Sequence, residues 1–452
     1  MENHVLGTKP IPKLLLEMAL PAMVAMGVNA LYNFVDRLFV SKVNSLALAG
    51  VGISMPIQIM LMSFVLLIGV GASVLVSLNL GKNEKESSEK ILANSATYLF
   101  ITLSITSLLS LFFLDDFLKL MGTSKHILPY AHNYTKIILI GSPIGLLGFG
   151  LTHSLRAQGD SKFSMYVLVF SAILNVILDP IFIFVFKMGV SGAALATIIS
   201  QIVPTLIILH YFCFNKKSIL HLKTSNLIPD LKILKSIIEN GFPIFVMQIV
   251  ATFLNTFLNR SLSTYGGDLA ISAMTIISSI FQTYHMIIVG IVQGNQPIVG
   301  YNFGANKYDR VSESLILSIK ISTIISLVAW IGIFFFPKTL SLIFTKDPTL
   351  LEMTVYGMKV YLGAIPLIGF QLICSQYFQA VSLPKISTLL LLLRFGLLLF
   401  PLILILAPKL GINGIWYSGL ISDLIAFAVT LFFFIKEIKR LNMLHKKTES
   451  TV

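Results

Sequence analysis

Nearly all of this chain consists of apolar runs of about twenty residues or more, and that leaves few folds open to it. A run of that length crosses the hydrocarbon core of a bilayer as a helix rising about 1.5 Å per residue. In lipid every backbone N–H and C=O must be satisfied internally, so only helices and closed barrels span. The two-residue alternation of barrel strands is missing, which leaves a helical bundle. The composition agrees: 56% of residues are hydrophobic and 12% charged, with a mean hydropathy of +0.87. The chain reads as an all-α integral membrane protein.

Twelve spans follow from the apolar runs, near 15–39, 47–80, 91–114, 128–158, 164–186, 189–214, 237–264, 269–302, 313–336, 349–381, 385–407 and 411–436. The first run is too long for a cleavable signal peptide and many more follow it. Residues 1–214 form a first lobe, 215–236 a basic linker, 237–436 a second lobe and 437–452 a tail. With the N-terminus inside, the cytoplasmic connections and tails hold 22 of the 33 Lys and Arg. That bias puts both termini and the linker in the cytoplasm. It also explains the net charge of +13 without nucleic acid, for which no interleaved basic and aromatic patch exists. Cys213 and Cys374 make neither a disulfide framework nor a metal site.

The two halves repeat at an offset of 222–223 residues. Met188-Gly-Val-Ser-Gly192 leads span 6 and Leu410-Gly-Ile-Asn-Gly414 leads span 12; Asn79-Leu-Gly81 ends span 2 and Asn302-Phe-Gly304 ends span 8. Pro21 matches Pro243, and Pro143 matches Pro366. Six spans per half make the repeats parallel, related by a pseudo-two-fold axis along the membrane normal. A cleft between the lobes, open alternately to either side, is the expected consequence.

Against this apolar background two carboxylates stand out. Asp36 lies in Leu31-Tyr-Asn-Phe-Val-Asp36 and Asp179 in Leu174-Asn-Val-Ile-Leu-Asp179. A carboxylate at the centre of a membrane helix costs at least ~2.5 kcal/mol on insertion scales, and such residues usually have a function. Asn29 and Asn33 share a helix face with Asp36, and Asn175 shares one with Asp179. The other reading of span 1 is asparagines bonding between helices, with Asp36 wetted or neutralised by Arg37. Pro180 displaces the carbonyl of Val176, which offers both an oxygen ligand and a hinge; a simple packing kink is the alternative. Thr197, in Gly192-Ala-Ala-Leu-Ala-Thr197, could add a hydroxyl. The second lobe lacks counterparts of both acids and offers Asn255, Gln371, Gln376, Gln379 and Asp423. Asp423 reads equally as a second titrating group or as a partner of Arg394, placed near a cytoplasmic end. His153 and His285 read as packing residues, and Arg156-Ala-Gln-Gly159-Asp160 as a structural turn. Thirty-three Phe and sixteen Met could line a cavity suited to varied amphiphiles. No nucleophile–base pair or metal cluster points to an enzyme.

With these residues in view, the chain resembles the multidrug and toxic compound extrusion (MATE) transporters along its whole length. The resemblance rests on Leu31-Tyr-Asn-Phe-Val-Asp36, Arg156-Ala-Gln-Gly-Asp160, Asn175-Val-Ile-Leu-Asp-Pro-Ile-Phe182, Gly192-Ala-Ala-Leu-Ala-Thr197 and Gly300-Tyr-Asn-Phe-Gly-Ala305. It is greatest to the bacterial and archaeal branch with the DinF- and MepA-type proteins. The resemblance implies a monomeric, multi-pass plasma-membrane antiporter with no cofactor, exporting cationic or amphiphilic compounds against inward H+ or Na+. It implies a coupling site at Asp36, Asn175, Asp179 and Thr197. Another branch couples through acids on spans 7 and 10; span 7 here holds only Glu239 at its mouth, and span 10 carries glutamines in its interior. A lipid-linked oligosaccharide flippase of the same superfamily is the alternative; it would want basic residues lining the cleft.

Overall fold

The computed structural model describes residues 5–43 and 45–450, without the side chains of Asn33, Phe34, Arg37, Ser45 and Glu449. Among the described residues there is no strand. Ten helices among the described residues are long and apolar enough to cross a membrane, and a bent pair makes an eleventh. The twelfth comes from dividing one helix. Leu231–Gly304 runs for 74 residues, about 110 Å at the α-helical rise and far more than one bilayer. It breaks at Gly267, where φ is 66° and ψ −163°, a conformation that favours glycine.

The spans are α1 (Ile11–Ser41), α2 (Ser45–Gly81), α3 (Lys85–Phe112), α4 (Leu128–Ala157), α5 (Ser161–Val185) and α6 (Val190–Phe214). The second half holds α7 (231–266), α8 (268–304), α9 (Tyr308–Phe335), α10 (Pro348–Tyr361 with Ile365–Ala380), α11 (Pro384–Leu410) and α12 (Ile412–Glu449). The sequence-based bounds hold to within about five residues except at three places, one of them α3, which begins at Lys85 rather than 91. α7 begins at Leu231, where the Asp230 carboxylate caps the Lys232 and Ile233 amides at 2.8 and 3.4 Å. α12 continues as helix to Glu449, well past 436, because Glu437 and Leu441 are buried. Glu437 there accepts from the Tyr377 hydroxyl at 2.9 Å and from Arg440 at 3.0 Å. α10 bends by 49° at residues 362–364, and the freed Gly363 carbonyl takes the Trp330 indole N–H at 3.0 Å.

The repeat is written into the backbone. Asn83 and Asn306 both adopt positive φ after α2 and α8, as do Gly159 and Ser382 after α4 and α10. Gly189 and Gly411 lead α6 and α12 with nearly the same angles, φ 57° and ψ −131° against φ 60° and ψ −139°. α5 and α11 both carry π-helical segments, Ile181–Val185 and Leu393–Leu399. Pairs of this kind arise when one six-helix unit is used twice.

The halves meet through small residues. A Cβ on Gly81 would strike the Tyr301 carbonyl, and one on Gly304 would strike the Leu78 carbonyl. Gly71 and Gly241 are equally closed in, against Ile237 and Leu67. Gly290 and Gly294 press on Met23 and Ala19. These contacts lie in the parts of α1, α2, α7 and α8 nearest the linker. At the same end the backbone of residues 6–9 is tied to the second half. Asn302 Nδ2 donates to the Leu6 carbonyl at 2.9 Å, Lys307 Nζ to Gly7 at 2.9 Å and Arg310 Nη2 to Lys9 at 2.6 Å. The linker itself docks on α3: Glu89, 2% exposed, holds Lys223 Nζ at 2.6 Å, and Asn94 Oδ1 takes the Asp230 amide at 2.8 Å.

Candidate functional site

Pro180 ends the regular α-helix of α5, and the next five residues are π-helical, a local form frequent at functional sites. Gly192 then lets the start of α6 close on this segment, since a Cβ there would lie 2.8 Å from the Phe182 carbonyl oxygen. α1 packs against α5, and α4 against α6. Four helices of the first half thus converge around one small polar space.

Asp179 is fully buried and Asn175 is 1% exposed. Asn175 Nδ2 donates to Asp179 Oδ1 at 3.4 Å, across one turn as the i, i+4 spacing requires. Asp36, half-buried on α1, interacts with Asp179 side chain to side chain. The Tyr134 ring of α4 stands beside both acids and Tyr32, with its hydroxyl toward Thr197. So Asp36, Asn175 and Asp179 come together, and Thr197 joins them through Tyr134. Asn33 carries a side chain outside the described residues.

Asn175 Oδ1 and Asp179 Oδ2 are buried with no hydrogen-bond donor among the described residues. Buried polar atoms almost always have a partner, and a buried carboxylate is costly unless neutralised or paired. A proton shared by the two carboxylates answers this. So does a hard cation, which takes carboxylate, amide and hydroxyl oxygens. Among the described residues no group of three or more His, Cys, Asp or Glu is placed to hold a metal ion.

Tyr134 was not found from the sequence. Nothing distinguishes it among fourteen tyrosines; only the fold turns it toward the acids.

The second half holds a different site. A cavity of about 330 Å³ opens between α7, α8, α10 and α11, and Asn255 and Gln371 line it. Asp423, 1% exposed on α12, forms an ion pair with Arg394 of α11, Nε to Oδ1 at 2.5 Å. Of the two readings of Asp423, this geometry is the pairing one. The placing of Arg394 near a cytoplasmic end is corrected. It lies ten residues into α11, roughly 15 Å along the helix axis, and is 7% exposed. Its guanidinium lies 5.1 Å from the Phe281 ring and 4.9 Å from the Phe395 ring.

The other singled-out residues fill structural places. His153 Nδ1 meets Arg156 Nη2 at 3.0 Å, and Arg156 Nη1 donates to Ser164 at 2.9 Å. Asp160 accepts from Tyr211 at 2.7 Å and from Gln158 at 2.6 Å. Burial raises the Asp160 carboxyl above its ordinary range, against the pull of those two hydrogen bonds.

Comparison with known proteins agrees with this architecture. The chain is 29% identical to the multidrug export protein MepA of Staphylococcus aureus over 92% of this chain and 91% of that protein. It is 30% identical to MepA of Staphylococcus saprophyticus over 71% and 70%. An outward-facing multidrug resistance MATE family transporter of the MOP superfamily superimposes with a TM-score of 0.91 at 24% identity, covering 98% of this chain and 99% of that one. The family model described as MatE matches twice, over residues 21–181 and 243–405. With more than half its length matched, once in each repeat, the chain belongs to the MatE family.

Proposed function

We propose that this protein is a secondary active multidrug efflux antiporter. It exports cationic and amphiphilic compounds in exchange for inward H+ or Na+, coupled at Asp36, Asn175, Asp179 and Thr197. The observation that carries this reading is the contact between Asp36 and Asp179, set in apolar helices with unsatisfied oxygens around them. Such a site holds a proton, a sodium ion or an organic cation, and the three compete for the same negative charge. An ion drives transport only if its binding energy differs between the two facing states. Pro180 and the π-helical turn after it are the hinge through which ion binding reshapes the first lobe.

With the linker and both termini in the cytoplasm of a bacterial or archaeal cell, the glycine contacts seal the cytoplasmic end. This structure is then closed toward the cytoplasm, and the protein works as a monomer in the plasma membrane. The names of the relatives support drug export. The test is efflux from cells that express Asp36→Asn or Asp179→Asn. Each variant is expected to lose efflux at least tenfold with unchanged membrane expression; transport at the wild-type rate in both would remove the site assignment.

A further inference from the structure

We propose that the cavity of the second half is a separate binding site for aromatic carboxylates, with Arg394 as the group that recognises them. No Asp or Glu lines the cavity. Asp423 holds Arg394 from behind, at Nε and, at 3.4 Å, at Nη2, and is not itself part of the wall. Arg394 itself lines the cavity, and neither contact with Asp423 uses its Nη1. A wall with an arginine and no carboxylate offers organic cations no counter-charge and complements a carboxylate, for which the guanidinium fork is the natural partner.

Shape and polarity agree. About 330 Å³ falls in the range of small-molecule sites. Phe281, Phe395 and Tyr361 supply ring faces, and His285, Gln371 and Asn255 supply polar contacts beside them. The Arg394 guanidinium is held between Phe281 and Phe395, so its position is set before any ligand arrives. An aromatic carboxylate would stack among the rings and take the remaining Arg394 N–H groups. The two lobes then differ in sign: the first holds cations at its acids, and the second holds anionic or zwitterionic amphiphiles at its arginine. This site stands apart from the coupling site and does not rest on antiport.

The test measures binding, so failure of the antiport reading would leave it interpretable. Full-length protein in phosphatidylcholine nanodiscs is titrated with 2-naphthoate and, separately, with the cation 2-naphthyltrimethylammonium, followed by calorimetry. Two variants accompany the wild type. Arg394→Gln with Asp423→Asn removes both charges together, so no buried charge is left alone. Ala251→Phe fills the cavity and keeps the ion pair. Saturable naphthoate binding to the wild type, weakened at least tenfold in both variants and not displaced by the naphthyl cation, is expected. Unsaturable naphthoate binding, unchanged affinity in either variant, or displacement by the cation would overturn the proposal.

Discussion

Gln296 donates to Ser73 at 3.2 Å across 223 residues of sequence, and each is the other's counterpart in the internal repeat. A hydrogen bond between equivalent residues can form only where the pseudo-two-fold axis passes. Ser77 and Gly300 meet on the same axis, and the mutual contacts Gly81–Tyr301 and Gly304–Leu78 flank it. The interface is therefore self-complementary, as two-fold contacts between identical subunits are. It closes the end of the bundle that carries the linker.

That symmetry makes the two glycines equivalent. Gly81→Val and Gly304→Val each push a side chain into a backbone carbonyl of the other half. Overpacking of this kind costs about 1–3 kcal/mol, and only while the interface is closed. Each variant is expected to open the linker end to a similar degree. A cysteine placed at Ser73 should then react several-fold faster with an impermeant maleimide added from the linker side.

Arg310 holds the same end shut by different means. It reaches the carbonyls of Leu6 and Lys9 while Asn302 Oδ1 fixes its Nε at 2.9 Å. Charge-assisted hydrogen bonds are worth about 1.5–3 kcal/mol each, reduced where water competes. Arg310→Ala is expected to shift the population toward the opposite state at least fivefold. Spin-label distances between residues 7 and 307 would show it as a longer component.

Linker docking has its own signature. Hydrogen bonding to Glu89 raises the Lys223 ammonium above its ordinary value. A lysine raised on folding contributes fully below its unfolded value of about 10.4 and loses that contribution as pH rises through the folded one. The tie therefore persists through neutral and mildly alkaline pH. Glu89→Ala should speed trypsin cleavage at Lys216, Lys217 and Lys223 several-fold, and the wild-type cleavage pattern should be the same at pH 7 and pH 9.

Asn175 supports the proposed coupling site through its contact with Asp179. Asn175→Leu keeps the size and removes both the donor and the free oxygen. Loss of one hydrogen bond to a charged group, about 1.5 kcal/mol or more, lowers ion affinity roughly tenfold. Drug efflux by Asn175→Leu is expected to need a correspondingly steeper ion gradient, read as a shift in the half-maximal gradient with unchanged expression.

The spans were legible because each is an apolar run, and the repeat because glycine, proline and asparagine recur where the backbone needs them. Gly189 and Gly411, Asn83 and Asn306, and Gly81 and Gly304 are such places. The helical course of α12 beyond 436 was not legible, since its charged residues look like a tail until Tyr377 is seen to bury Glu437. The pairing of Asp36 with Asp179 needed the fold, or a resemblance, because 143 positions separate them. Arg394 was misplaced for a related reason. Its depth within the expected span 385–407 was legible; its burial was not, because the carboxylate that draws the guanidinium inward, Asp423, lies on another helix.

Coupling at the Asp36–Asp179 site is tested most directly by the movement of a fluorescent cation in proteoliposomes under pH and Na+ gradients imposed separately. Wild-type protein should move the dye against one of the two gradients, and Asp36→Asn and Asp179→Asn should move it under neither. Dye movement driven by neither gradient in the wild type, or coupled movement that survives in Asp179→Asn, would contradict ion exchange at these two acids.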